Sequence, residues 1–435
     1  MIDRIVSAAI QHRWLVIIAV LGFVAFGAYQ YTQLTIDAVP DITTVQVQIN
    51  ARALGYSPLE VESRVTYPVE TSMGGLPRLQ SFRSSSKYGL SQVTAVFEDG
   101  TDIYFARQLI NERLQTVREQ LPVGVELEMG PVATGLGEIF MYVIEAEPGA
   151  TKADGTPYDA TDLRTIQDWQ IRPQLRQVPG VTEVDAIGGY TKEYHVQPDP
   201  TKLLAYGLSF SDVESALVNN NLNVGAGYIE SNGEQQLVRV PGQLKSQAEL
   251  LQVVVATRDG IPIHIGDVAT VGIGSSLRTG AAQLGSEQTV LATTFMLIGE
   301  NSRNVSIRVA AKLAEINKSL PQGVHAVTVY NRIDLVNKTI ATVQKNLFEG
   351  ALLVVVVLFA LLGNMRAALI AAMVIPLSLF VTFTGMVQNK VSGNLMSLGA
   401  LDFGLIVDGA LIIVENCILR LAEAQHVRGR VLERS

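Results

Sequence analysis

The chain has 435 residues, a formal net charge of −8 and 17% charged residues, below the roughly 25% that soluble domains carry. This length predicts two or more domains, and the acidic balance, without a basic stripe interleaved with aromatic residues, argues against a nucleic-acid partner. The single cysteine, Cys417, excludes an internal disulfide and a multi-cysteine metal site, and we expect it to be a small buried residue.

The apolar excess lies at the two ends of the chain, whereas residues 35–337 have ordinary globular polarity. This distribution predicts a membrane protein with a large soluble block. Residues 1–31 predict an interfacial helix, with apolar residues at helical spacing, followed by a first membrane span. The basic residues before this span also leave open a cleaved secretory signal, as the lesser alternative.

Residues 36–132 predict a unit with the order strand, helix, strand, strand, helix, strand. Ser57-Pro58-Leu59-Glu60 combines an N-cap serine, a first-turn proline and a capping-box glutamate, which is typical of a helix start. The other expected elements are strands at Val45–Ile49, Gln80–Ser84 and Ser91–Phe97 and a helix at Phe105–Gln120. This order is the split βαβ, or ferredoxin-like, pattern.

A second copy of this unit is predicted at residues 133–189 and 286–332. Leu121-Pro122-Val123-Gly124-Val125 recurs as Leu320-Pro321-Gln322-Gly323-Val324. The residues 4, 7 and 11 positions before each leucine are apolar in both copies, so the two closing helices are expected to bury the same face.

Residues 190–285 are predicted to form an insert in the second copy. A capped helix is expected over Ser209–Asn220, and Asn232-Gly233 is typical of a hairpin turn between two strands. The insert is therefore expected to be a small α+β module that protrudes from the second repeat.

Three further membrane spans are predicted at residues 333–363, 366–388 and 394–420, followed by a tail at 421–435. Each reaches the length of about 20 residues that a membrane crossing needs, and Pro376 is expected to kink the second of them. Arginines at both chain ends and between the first two of these spans fall on one side, which the positive-inside rule assigns to the cytoplasm. The soluble block is then expected outside the cytoplasm.

Three carboxyl groups lie within or beside the last predicted span: Asp402, Asp408 and Glu415. An unpaired Asp at the centre of a span costs about 2.5–3.5 kcal/mol on insertion scales, so such groups face protein or water. Asp408 and Glu415 are two turns apart and share a face, and Asp402 lies about 120° round the helix from Asp408. We interpret the three as a proton path. A role in helix packing alone is the lesser alternative. An intramembrane aspartyl protease is disfavoured, because it needs a second aspartate on another span and the apolar core of no other predicted span contains one.

Candidate metal ligands are weak in this sequence. His195, His264 and His325 lie in the soluble block, but no two of them have helical ligand spacing. Glu138 and Glu145 are on a predicted strand that could face a cleft. The metal ligands are left unassigned.

Several motifs together resemble the heavy-metal efflux branch of the resistance–nodulation–division (RND) superfamily, with a match along nearly the whole chain. These motifs are Ile36-Asp37-Ala38-Val39-Pro40-Asp41-Ile42-Thr43, Gly55-Tyr56-Ser57-Pro58, Tyr88-Gly89-Leu90-Ser91, Gly135-Leu136-Gly137-Glu138 and Asn394–Gly404. The form of the segment Asp402–Asn416 is similar to that of the cobalt–zinc–cadmium pumps.

This resemblance implies an inner-membrane pump that exports Zn²⁺, Co²⁺ or Cd²⁺ in exchange for protons. Asp408 would be the central proton carrier, with Asp402 and Glu415 assisting. The two repeats would be porter domains of a homotrimer and the insert its docking module. A periplasmic adaptor protein and an outer-membrane channel would be the partners, membrane lipid would surround the spans, and no resident cofactor is implied.

The family has twelve spans, whereas this chain has four predicted ones, and it lacks the lysine on a later helix that pairs with the central aspartate. We therefore expect an N-terminal piece of a pump, from a truncated reading frame, a split pump or an engineered fragment, that does not transport alone. The alternative from another class is a membrane-anchored scaffold or relic whose soluble block binds partners.

Overall fold

The computed structural model describes residues 9–34, 43–231, 233–240, 242–278, 280–362, 365–389, 391–393 and 403–428. Apolar helices lie at both ends of this set. Between them, the soluble block contains three large clusters of buried apolar side chains, one for each of two sheets and one for a segment between two strands of the second sheet.

The first sheet has the strand order β2-β3-β1-β4 and is antiparallel throughout. Its strands are β1 Gln46–Arg52, β2 Leu79–Lys87, β3 Leu90–Phe97 and β4 Glu126–Met129. The helices that cover one face of this sheet are Pro58–Val61, Tyr67–Met73 and Ile103–Arg118. The element order matches the predicted one, and alternate residues of β3 are buried because one face packs on these helices.

The second sheet repeats this topology. Its strands, in sheet order, are β6 Val181–Ile187, β14 Glu287–Met296, β5 Glu138–Ala146 and β15 Val324–Asn331, and a short strand β13, Ala282–Leu284, also pairs with β14. Helices Ala160–Ile166, Arg172–Leu175 and Ser302–Asn317 cover it. Val309, Leu313 and Ile316 are buried here, as are Ile110, Leu114 and Val117 in the first unit. The shared apolar face predicted for the two closing helices is confirmed.

Each repeat contains a π-helical segment that the sequence analysis did not predict. These segments are Glu62–Thr66 and Gln167–Ile171, and each is followed two residues later by a proline, Pro68 or Pro173. A π segment inserts one extra residue into a helix, and proline in the next turn removes a backbone donor. The first helical region of each repeat is therefore divided into three parts.

The segment between β6 and β14 has its own core. It begins and ends with an antiparallel ribbon of β7, Lys192–Pro198, and β12, Ala269–Ser275. The remaining strands are β8 Val224–Ser231, β9 Glu234–Val240, β10 Val254–Arg258 and β11 Ile261–His264, and the helices are Pro200–Tyr206, Phe210–Asn219, Gln247–Leu251 and Ile265–Val268. Ser209 caps its helix in a capping box with Asp212, and β8 pairs with β9 across the predicted hairpin.

Of the described residues, three helical stretches are long and apolar enough to cross a membrane: Arg13–Thr32, Arg332–Val357 and Met365–Gln388. We label the helices of this region α1 Arg13–Gln33, α2 Arg332–Leu362, α3 Met365–Ala372, α4 Val374–Gln388 and α5 Phe403–Arg428. The helix is interrupted at Met373 rather than at Pro376 itself. Pro376 has no N–H to donate to the Ala372 carbonyl, so the break falls one turn before the proline.

Most of the predicted interfacial helix, and the start of the predicted last span with Asp402, lie outside the described residues. Cys417 is exposed among the described residues, so the expectation that it is buried is wrong. Cys417 lies on α5, and no described neighbouring element covers its side chain.

Candidate functional site: the acidic face of helix α5

Helix α5 contains 26 residues that combine a long apolar run with three carboxylates, Asp408, Glu415 and Glu423. Its first 18 residues, 403–420, include three charged side chains, Asp408, Glu415 and Arg420. The apolar part packs through Val414 against a cluster of small and branched residues on the preceding helices, Ala368, Ala371 and Ile375. The alanines of this cluster let the helix backbones approach closely.

Asp408 and Glu415 are both exposed, and neither has an ion-pair or hydrogen-bond partner among the described residues. Val414, six residues after Asp408, lies about 120° round the helix from it, whereas Glu415 lies within about 20° of it. The packed side of α5 and its acidic side are therefore different faces.

The two carboxylates share a face without touching. Seven residues of helix separate them by about 10 Å along the axis. A proton could not pass between them in one step, so water or another side chain would have to lie between. Toward the C-terminal end, Arg420 donates from Nε to Asn416 Oδ1 at 3.1 Å instead of reaching a carboxylate.

The histidines considered as metal ligands lie apart from this helix and from one another. His325 Nε2 lies 2.9 Å from Glu147 Oε1, His195 Nε2 lies 3.4 Å from Glu193 Oε2, and His264 Nδ1 lies 3.6 Å from Asp267 Oδ2. Each has one carboxylate neighbour, and the described part of the chain contains no group of three metal-binding side chains. A divalent ion in proteins normally has at least three such ligands.

The two glutamates considered for a cleft have different surroundings. Glu138 and Glu145 lie near opposite ends of β5 and are both partly buried. In the β5–β15 register, Glu145 lies directly opposite His325, and Glu138 pairs with Phe295 of β14. Because directly opposite residues share a face, Glu145 lies on the face that is not covered by the helices of the second repeat.

The sequence analysis missed an acidic group on β6. Glu183 and Asp185 lie two residues apart on this strand. Arg172 Nη2 lies 3.0 Å from Glu183 Oε1 and 3.7 Å from Asp185 Oδ1. Desolvation raises the pKa of Asp185, and the negative charges of Glu183 and Glu128 raise it further, against the opposing effect of Arg172. Glu128 belongs to β4, so the charge of one carboxylate of the first repeat also acts on this group. The sequence signal for this group was the presence of acidic residues at alternate positions of the strand Val181–Ile187.

The match with known proteins extends over the whole of this architecture. The model of the AcrB/AcrD/AcrF family matches residues 5–435. The chain belongs to this family. The chain is 61% identical over 99% of its length to Protein HelA of Legionella pneumophila, and 60% identical over its full length to the cobalt-zinc-cadmium resistance protein CzcA of Cupriavidus metallidurans.

A solved structure of a heavy metal efflux pump superposes with a TM-score of 0.86 and 33% identity over 96% of this chain. The predicted membership of the heavy-metal efflux branch of the RND superfamily is therefore confirmed. This chain spans 41% of the length of each of these curated relatives and 41% of that solved chain.

Proposed function

We propose that this chain is the N-terminal part of a proton-driven pump that exports divalent heavy-metal cations of the zinc, cobalt and cadmium type. The observation that carries the proposal is the acidic face of α5, which presents Asp408 and Glu415 on a different face from the packed residue Val414. A carboxylate in a span is costly unless it faces water or a polar partner, and proton relays are the common use of such groups. The name of the Cupriavidus relative supports the metal class.

In this proposal Asp408 takes up and releases the transported proton, with Asp402, which precedes it in the sequence, and Glu415 assisting. The counter-charge for Asp408 would come from a part of the pump beyond this chain. Exchange of protons for metal needs a carboxylate whose affinity for a proton changes between two conformations, and an ion-pair partner that approaches and withdraws supplies such a change. The metal ion is cargo, and we propose no resident cofactor.

The soluble block would form two ferredoxin-like porter repeats, at residues 36–132 and at 133–189 with 286–332, with residues 190–285 as a docking module. The matching sheet orders of the two repeats support this division. Four spans, at 1–31, 333–363, 366–388 and 394–420, would place both ends of the chain in the cytoplasm and the block in the periplasm. Residues 421–435 would be a cytoplasmic tail in the inner membrane pump.

The assembly would be a homotrimer within a tripartite system that includes a periplasmic adaptor protein and an outer-membrane channel. The exposed apolar side chains of the β8–β9 hairpin support an intermolecular contact, since Tyr228, Ile229 and Leu237 are 60%, 58% and 73% exposed. Large apolar side chains that extend from a two-stranded hairpin without a covering layer are typical of interaction surfaces.

The proposal can be tested by joining these 435 residues to the remaining part of a metal-resistance relative and measuring growth in zinc. Asp408→Asn should abolish zinc resistance while the protein is still made and inserted, because the amide cannot carry a proton. Glu423→Gln, on the same helix beyond the predicted span, is the matched control and should retain resistance. Full resistance in the Asp408→Asn variant would refute the proton relay.

A second candidate is a membrane-anchored scaffold whose soluble block binds partners without transport. The ordered cores of both repeats and of the insert favour a block that folds with its own hydrophobic interior. Under this alternative, the complete joined protein would confer no metal resistance, whereas its soluble block would still bind an adaptor protein.

A further inference from the structure

Helices α1 and α4 touch around Gly27 and line an apolar groove on the N-terminal side of this contact. Gly27 is buried against Phe380, where a methyl group on Gly27 would collide with the Phe380 side chain. The Tyr31 and Phe383 rings lie beside this contact, with centroids 5.2 Å apart. Glycine at this position lets the two helices touch.

Between the two helices, on the N-terminal side of the Gly27 contact, lies a groove of about 540 Å³. Its walls are Leu15, Val16, Ala19, Val20 and Phe23 of α1 and Val374, Leu377, Ser378 and Val381 of α4. The one polar side chain in this set, Ser378, already donates its hydroxyl to the Ile375 carbonyl at 2.8 Å. The groove therefore offers an occupant apolar contact and no hydrogen bond.

The length of the groove matches half of a bilayer. Leu15 to Phe23 spans about 12 Å along the helix axis, close to the ~15 Å of hydrocarbon in one leaflet. Trp14 is 70% exposed at the start of this stretch, and tryptophan in spans lies at the boundary between hydrocarbon and headgroups. The groove therefore begins at the headgroup level and ends near the middle of the membrane.

A positive charge lies at the mouth of the groove. Arg13 is exposed and directly precedes Trp14, with the exposed His12 beside it. In the orientation proposed above, this mouth faces the cytoplasmic leaflet. A basic side chain at headgroup level above an apolar slot is complementary to a phosphate group with an acyl chain.

We propose that this groove binds one acyl chain of an anionic phospholipid of the cytoplasmic leaflet, with the phosphate at Arg13. The lipid would fill the groove between α1 and α4 and hold these helices at the separation that the Gly27 contact sets. The inference rests on the membrane orientation proposed above, but not on proton transfer or metal export.

The test is native mass spectrometry of the purified chain in detergent with equal amounts of phosphatidylglycerol and phosphatidylcholine that carry the same acyl chains. We expect the chain to retain phosphatidylglycerol preferentially, at one molecule per chain. Arg13→Gln should abolish the preference for phosphatidylglycerol. Equal retention of the two lipids by the unaltered chain would refute the assignment of the phosphate to Arg13.

Filling the groove should displace the lipid. Ala19→Trp places an indole in the slot and should lower retention at least tenfold, whereas Ala25→Trp, on the same helix outside the groove lining, should not. Val381→Trp fills the slot from α4 and gives an independent variant if Ala19→Trp disturbs folding. Unchanged retention in both groove variants would overturn the proposal, as would a lipid-free oligomer in which a second copy covers the groove. Retention is measured without transport, so its outcome is independent of the zinc-resistance test.

Discussion

The two repeats of the soluble block have the same strand order but join their second and third strands in different ways. In the first repeat a tight turn at Tyr88-Gly89 joins β2 to β3, and Lys87 pairs directly with Leu90. In the second repeat Gly188 and Gly189 lead away from β6, and the chain returns to β14 at Glu287. The two repeats therefore differ at one connection, which is a tight turn in the first repeat and a folded insert in the second.

The repeats also differ in how they satisfy buried polar groups. In the first, the Thr66 hydroxyl hydrogen-bonds with those of Ser86 and Ser91 at 2.8 and 2.7 Å. In the second, the buried Gln167 accepts a hydrogen bond from the Tyr142 hydroxyl at 2.9 Å, but its Nε2 has no partner among the described residues. Both sites lie on or beside the π segments, so the same helical irregularity is stabilised by a complete network in one repeat and an incomplete one in the other.

The strongest test of equivalence removes one core leucine from each closing helix. Leu114→Ala and Leu313→Ala should each destabilise their own repeat by about 2–5 kcal/mol, because both side chains are at most 4% exposed and would leave a cavity. Hydrogen exchange of the strand amides measures each repeat separately. Exposed neighbours provide the controls, and Gln115→Ala and Glu315→Ala should change protection by less than about 0.5 kcal/mol. If Leu313→Ala opened the first sheet as well, the two repeats would not be separate units.

The turn glycines sharpen the difference between the repeats. Gly89→Ala should cost about 1 kcal/mol, because φ is +65° but the nearest atom to the new methyl group is 3.6 Å away. Gly188→Ala should cost on the order of 3 kcal/mol or more, because φ is +85° and the methyl group would collide with the Thr289 carbonyl. Thermal unfolding and proteolysis at the start of the insert measure both changes. Equal costs would show that the Gly188 turn can relax.

The incomplete polar network predicts a non-additive pair of substitutions. Tyr142→Phe should destabilise the second repeat by about 1–3 kcal/mol, because it leaves the whole Gln167 amide buried without a partner. Adding Gln167→Leu should recover most of this loss, since an apolar pair has no unsatisfied groups. The four-member cycle can be followed by denaturant unfolding of the Tyr142 region. Additive losses would contradict a direct coupling of the two side chains.

The smallest expected effect concerns the acidic group between the repeats. The pKa of Asp185 is raised in the folded chain, so the folded state holds the proton of this carboxyl more tightly than the unfolded state does. Stability from this group is present below the unfolded pKa near 3.8 and is lost as the pH rises through the folded pKa. Asp185→Asn should therefore raise stability at pH 7, by less than about 1 kcal/mol given solvent screening, and leave it unchanged at pH 3.

Asp154→Asn provides the opposite sign as a control for Asp185→Asn. Hydrogen bonds from Thr156 lower the pKa of Asp154, so its contribution to stability is present above the unfolded pKa of 3.8 and is lost as the pH falls through the folded value. The Asp154 variant should accordingly be less stable at pH 7 than the unaltered chain. A difference of the same sign for both variants would show that net charge, and not the local surroundings, governs the response.

Local signals predicted much of the soluble block. The capping boxes at Ser57 and Ser209 and the repeated leucine–proline turns each report a contact within a few residues, and the structure contains the helices and buried faces that they indicate. The π segments were missed because an extra residue in a helix changes no periodic pattern strongly enough to be seen. The β7–β12 ribbon was missed because its strands are some 70 residues apart and their pairing is set by the fold.

The acidic helix shows the limit of the same approach. Spacing alone places Asp408 and Glu415 on one face, because helical geometry is independent of the rest of the protein. Spacing does not show which groups approach that face, since those come from other helices. Asp402 lies outside the described residues, so its predicted direction is still a prediction.

The close contact at Gly188 bears on whether the insert can be removed or moved by protein engineering. A methyl group on Gly188 would lie only 2.9 Å from the backbone nitrogen of Ala282, so the chain leaves the second repeat and re-enters it at almost the same point. The entropic cost of closing a loop grows slowly with its length, so two chain ends this close together can be joined by a long segment at little more cost than by a short one. We therefore expect that the insert can be removed and the gap closed with a short glycine-rich turn. We also expect that it can be inserted at the Tyr88-Gly89 turn of the first repeat.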